Sequence, residues 1–228
     1  MVTPPNGAAQ GKAQRMRLSE LSERSGVSTA TIKYYLRERL LPAGARISAT
    51  QADYDESHLR RLRLVRALLQ VGGLPVATAR EVLAHVDDES LGRTVRLGAA
   101  LWALPHGPEP DEDAPETATA RAEVARLLTE LGWTTALELG ELSPVHRSLV
   151  ASLATLIRLG YPCDVTYLAQ QARLMREVAV RDLDALEQFP TEAERVEAAV
   201  ASAVLYEPLL ASLRRLAQAE ESAQRYGL

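Results

Sequence analysis

Between Met16 and Val86 the sequence sets two short amphipathic segments on either side of a Gly-Val-Ser turn, and this pairing constrains the fold more than any other feature of the 228 residues. In the first segment Leu18 and Leu21 recur at helical spacing, Ser19 is placed to cap the start, and Glu20 and Glu23 fall on the outer face. Gly26 supplies the turn. Ser28 is positioned to cap a second helix, from Thr29 to about Arg39, whose inward residues are Ile32, Tyr35 and Leu36. That leaves Thr29, Thr31, Lys33, Tyr34 and Arg37 outside. Hydroxyls, an aromatic edge and two cations can donate to phosphates or base edges, and the helix amino terminus adds its positive dipole end. A small, hydroxylated, basic second helix suits the DNA major groove, although a solvated amphipathic hairpin would carry the same periodicity.

The motifs Gly26-Val27-Ser28, Thr31-Ile32-Lys33-Tyr34-Tyr35 and Leu40-Leu41-Pro42 resemble the amino-terminal winged helix-turn-helix of the MerR family of transcription regulators. The family's next two helices are matched by Tyr54, by Leu59, Leu62, Val65, Leu68 and Leu69 at helical spacing, and by Gly72 and Leu74 ahead of Val82-Leu83. The resemblance implies that Ser28, Thr29, Thr31, Lys33, Tyr34 and Arg37 sit at or near the major groove and that residues 43–54 form the wing. Where the family's wing reads Gly-Tyr-Arg-x-Tyr, this chain has Thr50-Gln51-Ala52-Asp53-Tyr54, so the wing arginine is missing and Arg46 is the nearest replacement. Arg17, His58, Arg60 and Arg61 complete the expected DNA-binding set. Arg63 and Arg66, farther along the same helix, are expected to be solvated or paired with acids.

Charge is divided unevenly. Residues 1–86 hold 13 Lys/Arg against 7 Asp/Glu and residues 87–228 hold 13 against 23, so a head of +6 precedes a body of −10 in a chain of net charge −4. A basic head can be held at a polyanion because counterion release is local. The acidic remainder suits solubility or another ligand. With 46% hydrophobic residues and 4% aromatics, rich in Ala, Leu, Glu and Arg, the composition predicts an all-α protein, relieved by a small β wing. Residues 1–14 read as a disordered arm and lack the apolar core of a secretory signal, and no run approaches a membrane span of ~18 apolar residues. A single cysteine, Cys163, fits a reducing cytoplasm.

The winged head is expected over 15–87. Residues 88–104 form a connecting or dimerisation helix with Gly92 and Gly98 inside it; its apolar face of Leu91, Val95, Leu101, Trp102 and Leu104 suits a partner subunit or the chain's own core equally. Residues 105–115, with four prolines, have linker composition. From 116 to 228 the punctuation predicts a bundle of about four or five helices: a stop at Gly132, a start at Ser143-Pro144, an end near Gly160, a start at Pro162 and Asp164, and a capping-box pattern at Thr191 and Glu194. Pro208 should kink or break the last helix. The closing residues look somewhat like the ends of TetR-type ligand-binding domains, which implies a helical sensor or dimerisation module. In such a bundle Trp102, Trp133, Tyr161, Tyr167, Phe189 and Tyr206 are the side chains best able to line a pocket for a small apolar ligand, although ordinary core packing gives the same residues.

Cys163 with His146 well upstream lacks paired metal-ligand spacing, so no metal is expected. Four histidines and one cysteine, without a Gly-rich phosphate loop or nucleophile elbow, form no catalytic constellation and require no cofactor. The sequence therefore points to a cytoplasmic regulator that binds near-palindromic promoter DNA as a homodimer alongside RNA polymerase, modulated at its carboxy-terminal domain and not embedded in a membrane. A ligand-independent architectural DNA-binding protein is the alternative.

Overall fold

The computed structural model describes residues 15–48 and 51–227. The expected disordered arm, residues 1–14, and Thr50 of the wing lie outside the described residues. The chain divides into two compact units, Met1–Arg80 and Glu81–Leu228.

In the first unit, α1 (Leu18–Ser25) and α2 (Thr29–Arg37) are joined through Gly26, whose φ of 66° ends α1 in the left-handed region. Arg17, not Ser19, occupies the N-cap of α1; Ser19 lies inside the helix and Arg17 makes no side-chain cap. The Ser28 hydroxyl accepts from the Thr31 N–H as expected, at 3.1 Å. α2 ends at Arg37, two residues earlier than its pattern predicts, because Arg39 turns to a φ of 59°. Two short antiparallel strands follow, β1 (Ala45–Arg46) and β2 (Ala52–Asp53), with Ala45 opposite Asp53 and Arg46 opposite Ala52. Met16 and Tyr54 exchange backbone hydrogen bonds of 2.8 and 2.9 Å, fastening the base of the hairpin to the start of α1. Next come α3 (Glu56–Arg66), a π-helical turn over Ala67–Val71, and α4 (Val76–Asp87), within which the two units divide. Leu21, Ile32, Leu62, Val65 and Leu68 are fully buried and form the apolar interior.

The second unit is helical throughout: α5 (Arg93–Trp102), α6 (Pro115–Leu131), α7 (Thr134–Leu139), a 3-10 turn at Gly140–Leu142, α8 (Pro144–Leu159), α9 (Val165–Glu187) and α10 (Glu192–Tyr226). The glycine, serine-proline and capping-box punctuation marks these ends; the Thr191 hydroxyl and the Glu194 carboxylate each accept from the other's backbone N–H. Its core sets Ala120, Val124 and Leu128 of α6, one helical face, against Val150 and Leu153 of α8, while Leu127 meets Val165 and Ala169 of α9. Residues 105–115 are held against this core despite their linker composition. Glu109 pairs with Arg147 at 2.8 Å, Glu112 with Arg121, and the buried Thr117 hydroxyl donates to the Asp111 carbonyl at 2.6 Å.

α5 packs on α10 of the same chain. Arg96, 6% exposed at its side chain, reaches Glu192 at 2.9 Å. Pro208 does not break α10, which runs unbroken for 35 residues. The expectation that no run approaches a membrane span is corrected here: α10 contains an 18-residue window of mean hydropathy 1.4, of which only 17% is buried.

Candidate nucleic-acid interface

The amino end of α2 is presented on the outside of the first unit. Thr29, Lys33 and Arg37 are exposed, and Tyr34 is half-buried beside Tyr35 with ring centroids 5.9 Å apart. The Arg37 guanidinium lies 5.3 Å from the centre of the Tyr34 ring, so cation and aromatic edge act as one element. Ser28 and Thr31 share a 2.8 Å hydroxyl contact within the helix cap. Capping thus fixes Thr31 at the amino terminus, where backbone N–H groups and the helix dipole favour an anion.

A groove of about 830 Å³ separates this helix from the wing, lined among others by Arg17, Lys33, Gly44, Arg46, Gln51 and Tyr54. Arg17 spans it, donating to the Gln51 side chain at 3.0 Å and approaching Asp53 at 3.6 Å. Arg46 donates its Nε to the Ser48 carbonyl at 3.2 Å and is otherwise exposed. Among the described residues no ion pair engages Lys33 or Arg46, so two cations border the groove without a carboxylate to neutralise them. Gly44 makes this wing possible: a Cβ there would stand 2.5 Å from the Asp53 carbonyl and 2.9 Å from the Tyr54 ring.

Residues 16–86 match the family model described as MerR HTH family regulatory protein. The chain belongs to the MerR family. It is also 66% identical to SCO5550 from Streptomyces coelicolor A3(2), a candidate transcriptional regulator whose crystal structure superposes with a TM-score of 0.83 over 93% of this chain and 99% of that one. No match was found among curated proteins. The protein is accordingly a DNA-binding transcriptional regulator of the MerR family, with a helix-turn-helix head and a helical remainder.

Two residues of the expected contact set face inward in this MerR head. His58 is 8% exposed: its Nδ1 accepts from the Asp55 backbone N–H at 3.2 Å, completing a capping box for α3, and lies 2.8 Å from the Asp55 carboxylate, while its ring packs edge-on against Tyr54 with centroids 5.1 Å apart. Arg61 is 5% exposed. A side chain so enclosed cannot reach a phosphate, and both positions lie on the side of α3 that carries Leu62 and Val65 into the core. Partial burial opposes ionisation of Asp55, but hydrogen bonds from the Ser57 hydroxyl, the His58 ring and the His58 backbone hold its carboxyl at about 2. Arg60 is half-buried. Arg66 is spoken for, donating to the Ser25 carbonyl at 3.3 Å and to Gln70 at 3.1 Å.

Three residues of the head were not visible in the sequence pattern. Gly44 acts through sterics alone, and Gln51 through its bond to Arg17. Arg80 donates to the Glu38 carboxylate at 2.7 Å and to its carbonyl at 2.8 Å, pinning the end of α2 to α4. No local pattern marks any of the three.

The six aromatics expected to line a ligand pocket are not gathered into one. Tyr161, Tyr167, Phe189 and Tyr206 are 62, 46, 41 and 42% exposed. Trp133 packs on the α6–α8 core, Trp102 is exposed at the end of α5, and Tyr167 borders a groove with Gln171 and Arg214. Among the described residues no group of three or more His, Cys, Asp or Glu side chains is arranged to hold a metal ion.

Proposed function

We propose that this regulator binds a near-palindromic promoter site as a homodimer in the cytoplasm, inserting α2 of each head into the major groove. Thr29, Lys33, Tyr34 and Arg37 meet base edges and phosphates there, and Ser28 with Thr31 meets phosphate at the helix amino terminus. Arg17 and Arg46, with Arg60 at the start of α3, supply phosphate contacts from the wing side. The observation that carries the reading is the pair of unneutralised cations, Lys33 and Arg46, bordering the groove between α2 and the wing. Two heads on one duplex can bend or untwist the DNA between promoter elements and so govern its use by RNA polymerase. A signal received by residues 116–228, within the second unit, acts by binding one arrangement of the heads better than another.

A ligand-independent second unit is the competing reading, favoured by the dispersal of its aromatics over the surface. Selection of bound sequences from random duplex DNA with the full chain at physiological salt tests the proposal. Enrichment of a two-fold symmetric site is the expected result. Binding without enrichment, lost steeply as salt rises, would instead identify an architectural protein.

A further inference from the structure

The exposed arginine of α2 is followed directly by an acid. Between Ser28 and Pro42 the sequence holds one carboxylate, Glu38, next to Arg37. Glu38 is the C-cap of α2, where the negative end of the helix dipole already disfavours an anion. It is misplaced a second time when α2 lies in a groove of DNA, because a carboxylate there repels phosphate and competes for the Arg37 guanidinium. Its Oε1 stands 3.6 Å from the Arg37 Nε, beyond hydrogen-bond range but within reach of a small side-chain rotation.

Arg80 of α4 engages the same acid. Its Nη2 donates to Glu38 Oε2 at 2.7 Å and its Nε donates to the Glu38 carbonyl at 2.8 Å, a carbonyl that the end of α2 leaves without an intrahelical partner. Two N–H groups of one planar guanidinium thus hold side chain and backbone together, a fork that a lysine cannot supply. Of the two cations at Glu38, Arg80 makes the shorter contact and is the less exposed, 43% against 73% for Arg37. The Arg37 guanidinium is left over the Tyr34 ring, 5.3 Å from its centre. We propose that Arg80 is a positioning residue for DNA recognition: by holding Glu38 it keeps Arg37 on Tyr34 and free of a neighbouring counter-charge. It acts through the acid and not on DNA. Without Arg80 the Glu38 carboxylate closes on Arg37, and the helix presents a neutralised pair where it had presented a cation.

The consequence for binding rests on the reading of α2 as the helix that meets DNA, whereas the exchange of partners takes place in the free protein and is measured there. Full-length Arg80→Ala and Arg80→Ala/Glu38→Gln have lost the same bond to the Glu38 carbonyl, so a difference between them reports the carboxylate and not the pinning of α2 to α4. On a duplex selected by the wild type, Arg80→Ala is expected to bind about 10-fold more weakly, the size of one lost arginine contact, and the double variant to recover to within about 3-fold of wild type. Helicity by circular dichroism verifies that both variants fold. Without DNA, the Arg37 Nε–Hε signal in a proton–nitrogen NMR spectrum, identified by its loss in Arg37→Ala, should move in Arg80→Ala and return toward its wild-type position in the double variant. Wild-type binding by Arg80→Ala, or a loss that Glu38→Gln does not reverse, would overturn the proposal; the latter would assign Arg80 to stability alone. An Arg37 signal that stays in place in Arg80→Ala would overturn it equally. Full discrimination between selected and scrambled duplexes by Arg37→Ala would instead remove the DNA-reading role of α2, and the free-protein signal tells that failure apart from failure of the Arg80–Glu38 clamp.

Discussion

Gly44→Ala is the perturbation whose effect the structure defines most narrowly. The added Cβ meets the Asp53 backbone oxygen at 2.5 Å and the Tyr54 ring at 2.9 Å, which is short of ordinary contact by most of an ångström at a backbone atom that cannot rotate away. Accommodation requires β1 and β2 to separate, or Tyr54 to leave its place over His58. Overpacking of this kind costs about 1–3 kcal/mol. The hydrogen bonds between Met16 and Tyr54 lie at the base of this hairpin, so their opening should report the strain. A loss of about 2 kcal/mol corresponds to about 30-fold less protection from hydrogen exchange, at roughly 1.4 kcal/mol per factor of ten. Exchange measured by mass spectrometry on full-length protein should show this over residues 16–24 and 52–58, with weaker DNA binding because Arg46 and Gln51 are displaced. Gly26→Ala serves as the comparison: its Cβ meets nothing within 4 Å, but its φ is 66°. It should cost about 1–2 kcal/mol through left-handed backbone strain, felt at the α1–α2 turn and not in the wing. Unchanged protection of Met16 and Tyr54 in Gly44→Ala would refute the wing geometry and its role in forming the groove.

Tyr34→Ala and Arg37→Ala should each abolish specific DNA binding without reducing helicity; because the guanidinium lies against the ring, a double-mutant cycle should give a coupling of about 0.5–1 kcal/mol. Asp55 titrates at about 2 against an ordinary 3.8, so it adds stability that is fully present above pH ~4 and lost as pH falls toward 2. With its side chain 42% exposed the gain is about 1 kcal/mol at most, and Asp55→Asn should flatten the acid limb of a denaturation profile over that window. Glu192→Gln leaves the buried Arg96 guanidinium without its carboxylate and should destabilise the α5–α10 packing by about 2 kcal/mol in urea denaturation, less than the ~3–5 kcal/mol of a fully buried pair because Glu192 is 56% exposed and screened by water.

Punctuation in the sequence carried most of the architecture. Ser28, Gly132, Ser143-Pro144, Gly160 and the Thr191–Glu194 pair end or begin helices because each satisfies backbone groups locally, and local chemistry is what a sequence displays. Long-range facts were hidden. His58 and Arg61 read as surface residues by polarity, yet His58 caps α3 through Asp55; the Asp-x-x-His spacing was the available signal. Gly44 answers to a carbonyl nine residues away, and Arg39 takes a left-handed φ that no periodicity reveals. The aromatics of the second unit read as pocket or core because apolar residues usually are buried, whereas α10 extends its apolar face beyond the core that would cover it. Pro208 predicts a kink or a break, but tertiary packing upstream and the Ser212 hydroxyl on the Pro208 carbonyl accompany a helix that runs on without a break.

The central claim, that α2 reads the bases while α3 carries no sequence discrimination, is tested most directly by comparing Lys33→Ala/Arg37→Ala with Arg63→Ala on a selected duplex and a scrambled one across a salt series. The account predicts that the α2 pair loses nearly all discrimination between the duplexes, while Arg63→Ala keeps the full wild-type ratio. Discrimination retained by the pair, or lost by Arg63→Ala, would contradict it.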